Sequence, residues 1–214
     1  MKFIDQKIEN YAIEKSNTPS SICDELQEYT LNNVDMSQML IGKLEASVLG
    51  FLIKSHHVKN IVEFGTFTGY SALAMAENLS EEGKIVTLDI NEENGKIAKS
   101  FWNKSPHGKK ITQIIGPAIE SFKKIDFEID MVFIDADKTN YINYLNLCLP
   151  KLSKNGMIII DNVLWSGSVL KPAETESTKA IQEVNDFIKN NPNLYGTLLP
   201  IRDGMFLVTK NHGP

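Results

Sequence analysis

Two short segments carry the residues best suited to chemistry. The first is Phe133-Ile134-Asp135-Ala136-Asp137-Lys138; the second is Asp161-Asn162-Val163-Leu164-Trp165. Each follows an apolar run, Met131 to Ile134 and Met157 to Ile160, that reads as a buried strand. Two such strands in a parallel sheet would deliver Asp135, Asp161 and Asn162 to one rim. Three oxygen donors converging there suit a hard divalent cation such as Mg²⁺. Lys138 lies one short turn beyond the first donor, where it could serve as a base. The expectation is metal-assisted chemistry at the carboxyl edge of an α/β sheet.

A second group of residues follows an earlier strand. Glu63-Phe64-Gly65-Thr66-Phe67-Thr68-Gly69-Tyr70-Ser71 has the order E-x-G-x-x-x-G. Glycines after a first strand let the backbone pass close to a ligand at a helix N-terminus. The dinucleotide fingerprint would be G-x-G-x-x-G, and an acid on the strand would repel a pyrophosphate. Glu63 suits instead a ligand with a positive charge, such as the sulfonium cofactor S-adenosylmethionine, whose carboxylate Ser71 would hold. Asp89 ends the next strand, placed to accept hydrogen bonds from ribose hydroxyls. Gly116-Pro117-Ala118 ends the third, where a tight turn would meet the adenine edge. Taken singly, each is also explained as a helix entry or a cap. All three in order on successive strands point to a nucleoside cofactor.

The elements that must position these groups alternate. Strands are expected at Asn60–Phe64, Lys84–Leu88, Ile111–Ile115, Asp130–Ile134 and Gly156–Ile160. Helices are expected between them at Ser71–Leu79, Glu92–Lys104, Ala118–Lys124 and Tyr141–Leu149. This alternation implies right-handed βαβ units and a mostly parallel sheet. A helix over Ser177–Lys189 precedes two strands, Tyr195–Leu199 and Gly204–Thr209, with a tight hairpin turn at Arg202-Asp203-Gly204. Residues 1–55 read as an N-terminal helical appendage: Asp5–Lys15, a helix capped by Ser20-Ser21 and running to Leu31, and a third capped by Ser37. The core spans 59–210, and the whole of 1–214 reads as one domain.

Composition sets limits. The 214 residues suffice for one full core, 42% are hydrophobic, and the net charge is -5 with both signs interspersed. That balance argues against nucleic acid as a partner. No signal peptide or membrane-spanning run is seen, and Cys23 and Cys148 stand in unlike contexts, so a reduced cytoplasmic setting is expected. Cys148 reads as a small core residue and the adjacent His56 and His57 as surface or packing residues. Asp137 reads as an outward-facing or helix-starting acid rather than a third carboxylate ligand; Trp165 either borders a substrate pocket or packs on the last helix.

The chain also resembles a known family, motif after motif. Met39-Leu40-Ile41-Gly42-Lys43-Leu44-Glu45, the Glu63–Ser71 turn, Leu88-Asp89-Ile90-Asn91, Gly116-Pro117-Ala118 and the two segments quoted first are similar to the cation-dependent O-methyltransferases, which include the caffeoyl-CoA and catechol enzymes. The resemblance covers about residues 36–210. It implies a Rossmann-like class I methyltransferase fold, a seven-stranded mostly parallel sheet with an antiparallel C-terminal hairpin strand and helices on both faces. It implies S-adenosylmethionine, a divalent metal (Mg²⁺, or Mn²⁺ or Ca²⁺), an aromatic small-molecule acceptor with vicinal hydroxyls, and a homodimer. Carried over residue by residue, Asp135, Asp161 and Asn162 are the metal ligands, and Lys138 with Asp135 is catalytic. Met39, Glu63, Gly65, Thr66, Ser71, Asp89, Ala118 and Asp135 are the cofactor contacts. Phe64, Ala46 and Asn155 depart from the family's usual residues without touching this chemistry. Ser166 to Thr175 and the Arg202-Asp203 turn are expected to wall the acceptor site. The competing readings are a nicotinamide-dependent oxidoreductase, a methyltransferase acting on tRNA or another macromolecule, and a non-catalytic binding protein.

Overall fold

A computed structural model of the chain describes residues 4–213, which gather into two compact units, 7–126 and 127–213 with residues 4–6. The seven strands are ordered β3-β2-β1-β4-β5-β7-β6 in one sheet. They are β1 (Asn60–Phe64), β2 (Lys84–Asp89), β3 (Ile111–Ile115), β4 (Ile129–Ile134), β5 (Leu152–Asp161), β6 (Leu194–Leu199) and β7 (Met205–Lys210). The helices are α1 (Gln6–Glu14), α2 (Ser21–Asn33), α3 (Lys43–Ser55), α4 (Tyr70–Ala76), α5 (Glu92–Trp102), α6 (Ala118–Phe122), α7 (Tyr141–Cys148) and α8 (Glu176–Asn190). Every strand and helix expected from the sequence is present; β1 and β3 have the expected bounds, and the other elements have shifted ends. This is the Rossmann-like arrangement the motifs imply.

In the unit 7–126, β1 pairs in parallel with β2, Phe64 opposite Leu88, and β2 with β3, Asp89 opposite Ile115. Ile61, Val62, Phe64 and Ile85 are fully buried, as expected of strands covered on both faces. Helix α4, Tyr-Ser-Ala-Leu-Ala-Met-Ala, is buried on every side, which its small apolar residues allow. Helices α2 and α3 pack against it. Phe64 stacks on Phe122 with ring centroids 5.6 Å apart, so the larger side chain at this position is accommodated under the first turn.

Several helix starts differ from expectation, two of them for a clear local reason. Ser37 does not cap α3. It opens a 3-10 turn, Ser37–Met39, and α3 begins at Lys43, where the Glu45 carboxylate accepts the Gly42 N–H. The last helix starts one residue early because Thr175 Oγ1 accepts the Thr178 N–H at 3.1 Å. Its face Thr178, Ile181, Val184, Ile188 is buried, the i, i+3, i+4 spacing of a helix resting on a sheet.

In the unit beginning at 127, β4 and β5 are parallel, Ile134 opposite Ile160, while β7 runs antiparallel to β5 and β6 antiparallel to β7. Strand β5 starts four residues before the expected Gly156. Lys210 Nζ donates to the Leu152 carbonyl at 2.6 Å and Thr209 Oγ1 to the Gly156 carbonyl at 2.9 Å, so β7 satisfies this polar stretch with side chains. The hairpin turn is longer than expected: residues 200–204 separate β6 from β7, with Arg202 at φ 49° and Gly204 at φ 90°.

Candidate functional site

Two clusters lie beyond the carboxyl ends of strands, one in each unit. In the first, Gly65 leaves β1 at φ 96° and donates its N–H to the Leu88 carbonyl at 2.9 Å. The glycine is needed because this left-handed backbone strains any residue with a Cβ. The turn closes at Gly69, φ 84°, where a Cβ would lie 2.6 Å from Trp102 and 2.7 Å from Ala98. Trp102 Nε1 donates to the Gly69 carbonyl at 3.0 Å. Helix α5 therefore fixes the far end of the turn.

Asp89 has a task the sequence did not disclose. Its Oδ2 accepts the N–H of Thr66 at 2.8 Å and of Phe67 at 2.9 Å, and its Oδ1 accepts the N–H of Asn91 at 2.9 Å. The carboxylate staples the glycine turn to the end of β2, and Asn91, not Asp89, caps α5 by accepting the Asn94 N–H. A carboxylate offers about four lone-pair sites, so acceptor capacity remains for hydroxyls. Thr66 is buried and its hydroxyl pairs with that of Thr87 at 2.6 Å. Glu63 is fully buried and accepts a hydrogen bond from the Ser71 hydroxyl across the start of α4. Ala118 is the first residue of α6, after Gly116 at φ 144°. Met39, half exposed, ends the Ser37–Met39 turn.

The second cluster forms because Ile134 faces Ile160 in register, so the residues that follow, Asp135 and Asp161, leave adjacent strands side by side. Lys138 Nζ donates to Asp135 Oδ1 at 3.0 Å, to Asn162 Oδ1 at 2.7 Å and to Tyr141 Oη at 2.6 Å. Its side chain is 11% exposed and that of Asp135 18%. Asp161 is buried and turns Oδ1 onto the Asn162 N–H at 2.7 Å. Asn162 sits at φ 60°, a conformation asparagine tolerates better than most residues; that bend points its amide back toward Lys138. Trp165, φ 45°, places its ring 5.7 Å from Lys138 Nζ.

Tyr141 was not singled out by the sequence, although its i+3 spacing from Lys138 was available. It is fully buried and donates to the Asp161 carbonyl at 3.2 Å. Burial, then the charges of Asp135 and Asp161, push its pKa well above the ordinary tyrosine value. Asp137 is taken up by the turn itself, accepting from the Tyr144 hydroxyl and the Asn140 amide. The segment after β5 is tied down on two sides. Leu164 N donates to the Asp203 carbonyl at 2.9 Å and Ser166 N to the Asp203 carboxylate at 2.6 Å. Gln182 Nε2 holds the carbonyls of Val169 and Lys171 at 3.0 and 2.8 Å, and Asn185 Nδ2 that of Val163 at 2.9 Å.

The O-methyltransferase family profile matches residues 13–211.

The chain belongs to the O-methyltransferase family.

Among its relatives, a "probable caffeoyl-CoA O-methyltransferase 1" of Dictyostelium discoideum is 37% identical over 208 residues, covering 94% of this chain and 90% of the relative. The caffeoyl-CoA O-methyltransferase of Petroselinum crispum is 36% identical over 196 residues, 86% of this chain and 81% of that one. The solved structure of an S-adenosylhomocysteine-bound methyltransferase of Podospora anserina superposes with a TM-score of 0.87 at 25% identity, covering 96% and 94% of the two chains. An O-methyltransferase of Bacillus cereus shares the fold with a TM-score of 0.86 at 24% identity, over 96% and 97%.

No group of three or more His, Cys, Asp or Glu side chains is placed to hold a metal among the described residues. The second cluster offers a different donor set, two carboxylates and one amide. An ammonium group already bridges Asp135 and Asn162, so these oxygens fit a cation. His56 lies outside both clusters, its Nδ1 3.2 Å from the Leu52 carbonyl at the end of α3. Cys23 and Cys148 are both buried and unbridged. No helix among the described residues is long and apolar enough to cross a membrane.

Proposed function

We propose that this O-methyltransferase transfers the methyl group of S-adenosylmethionine to one hydroxyl of a vicinal-dihydroxy aromatic small molecule of catechol, caffeoyl or flavonoid type, with a divalent metal such as Mg²⁺. The observation that carries the reading is Lys138 Nζ lodged between Asp135 Oδ1 and Asn162 Oδ1. These are hard oxygen donors gathered around the lysine's own positive charge. Asp135, Asp161 and Asn162 would hold the metal. When bound, it would supply Lewis-acid chemistry that favours ionisation of the acceptor hydroxyl and helps to fix the acceptor. Lys138, in its neutral form, takes the acceptor's proton. Asp135 is both ligand and orienting partner of Lys138. Trp165 and the tethered 166–175 segment give the acceptor an aromatic, ordered wall.

The Glu63–Ser71 turn, Asp89, Ala118 and Met39 would bind the methyl donor. Its sulfonium supplies a carbon already activated for displacement, so the chain's work is orientation, ionisation of the acceptor and exclusion of water. Positioning of this kind contributes about 7–11 kcal/mol. The relatives' caffeoyl-CoA names support this acceptor class. We further infer a cytoplasmic homodimer.

The test is methyl transfer from labelled S-adenosylmethionine to caffeic acid, caffeoyl-CoA and a flavonoid panel, with Mg²⁺ and then with EDTA. Turnover abolished by EDTA is the expected result. Transfer undiminished by EDTA removes the metal, and transfer to bulk RNA instead of the panel removes the acceptor class.

A further inference from the structure

An ammonium group has three N–H donors, and Lys138 spends all three on the Asp135, Asn162 and Tyr141 oxygens. Two of those partners are the proposed cation ligands, whose oxygens have another role when the site is loaded. Tyr141 is not. Its hydroxyl points its own proton at the Asp161 carbonyl, 3.2 Å away, so a lone pair faces Lys138 at 2.6 Å. The ring beneath is enclosed: Tyr141 is fully buried at the start of α7, and Lys138 Nζ lies 4.9 Å from its centroid. The phenol thus links the lysine to the main chain of β5, at the residue that precedes Asn162.

We propose that Tyr141 is a positioning residue, holding the Lys138 amine at the rim through its hydroxyl and coupling it to the end of β5. It acts through Lys138 rather than on the cofactor or the acceptor. The inference rests on the proposed methyl-transfer reading for its kinetic consequence, but not for its geometry.

The experiment pairs kinetics with a spectroscopic signature that needs no turnover. Tyr141→Phe keeps the ring and removes the hydroxyl. One lost hydrogen bond to a charged group predicts kcat lower by roughly ten- to a hundredfold with KM values within about twofold. In the Lys138→Ala background the same change should do nothing further, because there is no amine left to position. Lysine ε-carbon labelling, with the Lys138 resonance assigned from Lys138→Arg, gives the second readout. Lys138 Nζ lies 4.9 Å from the Tyr141 ring centroid and 5.7 Å from that of Trp165, so its ε protons should resonate upfield of exposed lysines in the wild type, then move in Tyr141→Phe. A wild-type Lys138 resonance at the exposed-lysine position would overturn the proposal whatever the variant does. So would an unmoved resonance with unchanged kcat, or an equal kcat loss in the Lys138→Ala background. If no acceptor is methylated by the wild type, the methyl-transfer reading falls while the resonances still decide the role of Tyr141.

Discussion

Asp89 Oδ2 accepts the backbone N–H of Thr66 at 2.8 Å, tying the end of the second strand to the glycine turn after the first. The same oxygen holds Phe67 N at 2.9 Å. Asp89→Ala should therefore loosen the turn as well as remove the proposed ribose acceptor. The expected losses are about 2 kcal/mol of stability, from charge-assisted hydrogen bonds, and at least tenfold in S-adenosylmethionine affinity. Denaturant unfolding and calorimetry measure them separately. Unchanged stability with weakened binding would confine Asp89 to ligand contact.

Gly69 combines a left-handed φ of 84° with a Cβ position 2.6 Å from the Trp102 ring. Gly69→Ala should cost roughly 3 kcal/mol, from backbone strain plus overpacking. Thermal unfolding reads it, and a loss below about 1 kcal/mol would mean that α5 yields.

Lys138→Ala should lower turnover about a hundredfold or more, the usual weight of a positioned base, and leave cofactor affinity intact. Asp161→Ala should remove metal-dependent activity and also Mn²⁺ binding by calorimetry. Normal Mn²⁺ binding in that variant would take Asp161 out of the ligand set.

Gln182 alone holds two carbonyls of the 166–175 segment, at 3.0 and 2.8 Å. Gln182→Ala should free the segment and raise the acceptor KM several-fold, each bond being worth about 1 kcal/mol. The KM for S-adenosylmethionine should not change. Equal rises in both would point to general destabilisation.

Burial raises the pKa of Tyr70 and of both thiols, Cys23 and Cys148. The folded state then holds these protons more tightly than the unfolded chain does. Their stabilising contribution is whole below the unfolded values, about pH 8.5 for cysteine and about pH 10 for tyrosine, and is lost progressively as pH rises from there through the higher folded-state values. Melting temperature should accordingly fall on the alkaline side, beginning near the ordinary cysteine value and steepening above that of tyrosine. Thiol-specific reagent should react at neutral pH only at the rate of unfolding; fast reaction would show that the thiols open locally.

The order of elements was legible because parallel strands covered on both faces are written as short apolar runs. Val62 and Phe64 in β1, or Ile158 to Ile160 in β5, have no polar face to hide them. The residue that follows such a run lies at the rim, so Gly65, Asp89, Asp135 and Asp161 could be placed before any coordinates. Ends were less legible where caps decide. Ser37 looked like a cap and is not, because Glu45 reaches back to Gly42.

The sequence by itself determined the strand–helix alternation, the rim positions of the polar residues and the family. Burial periodicity and chain order suffice for the first two, and the motif-by-motif resemblance for the family. Only the tertiary structure decided that Asp89 staples a turn, that Tyr141 joins Lys138, and that Gln182 and Asp203 hold the segment after β5. These are single polar bonds, mostly between segments far apart in the chain. They leave no periodic trace, and backbone atoms, whose positions no residue type announces, supply many of the partners.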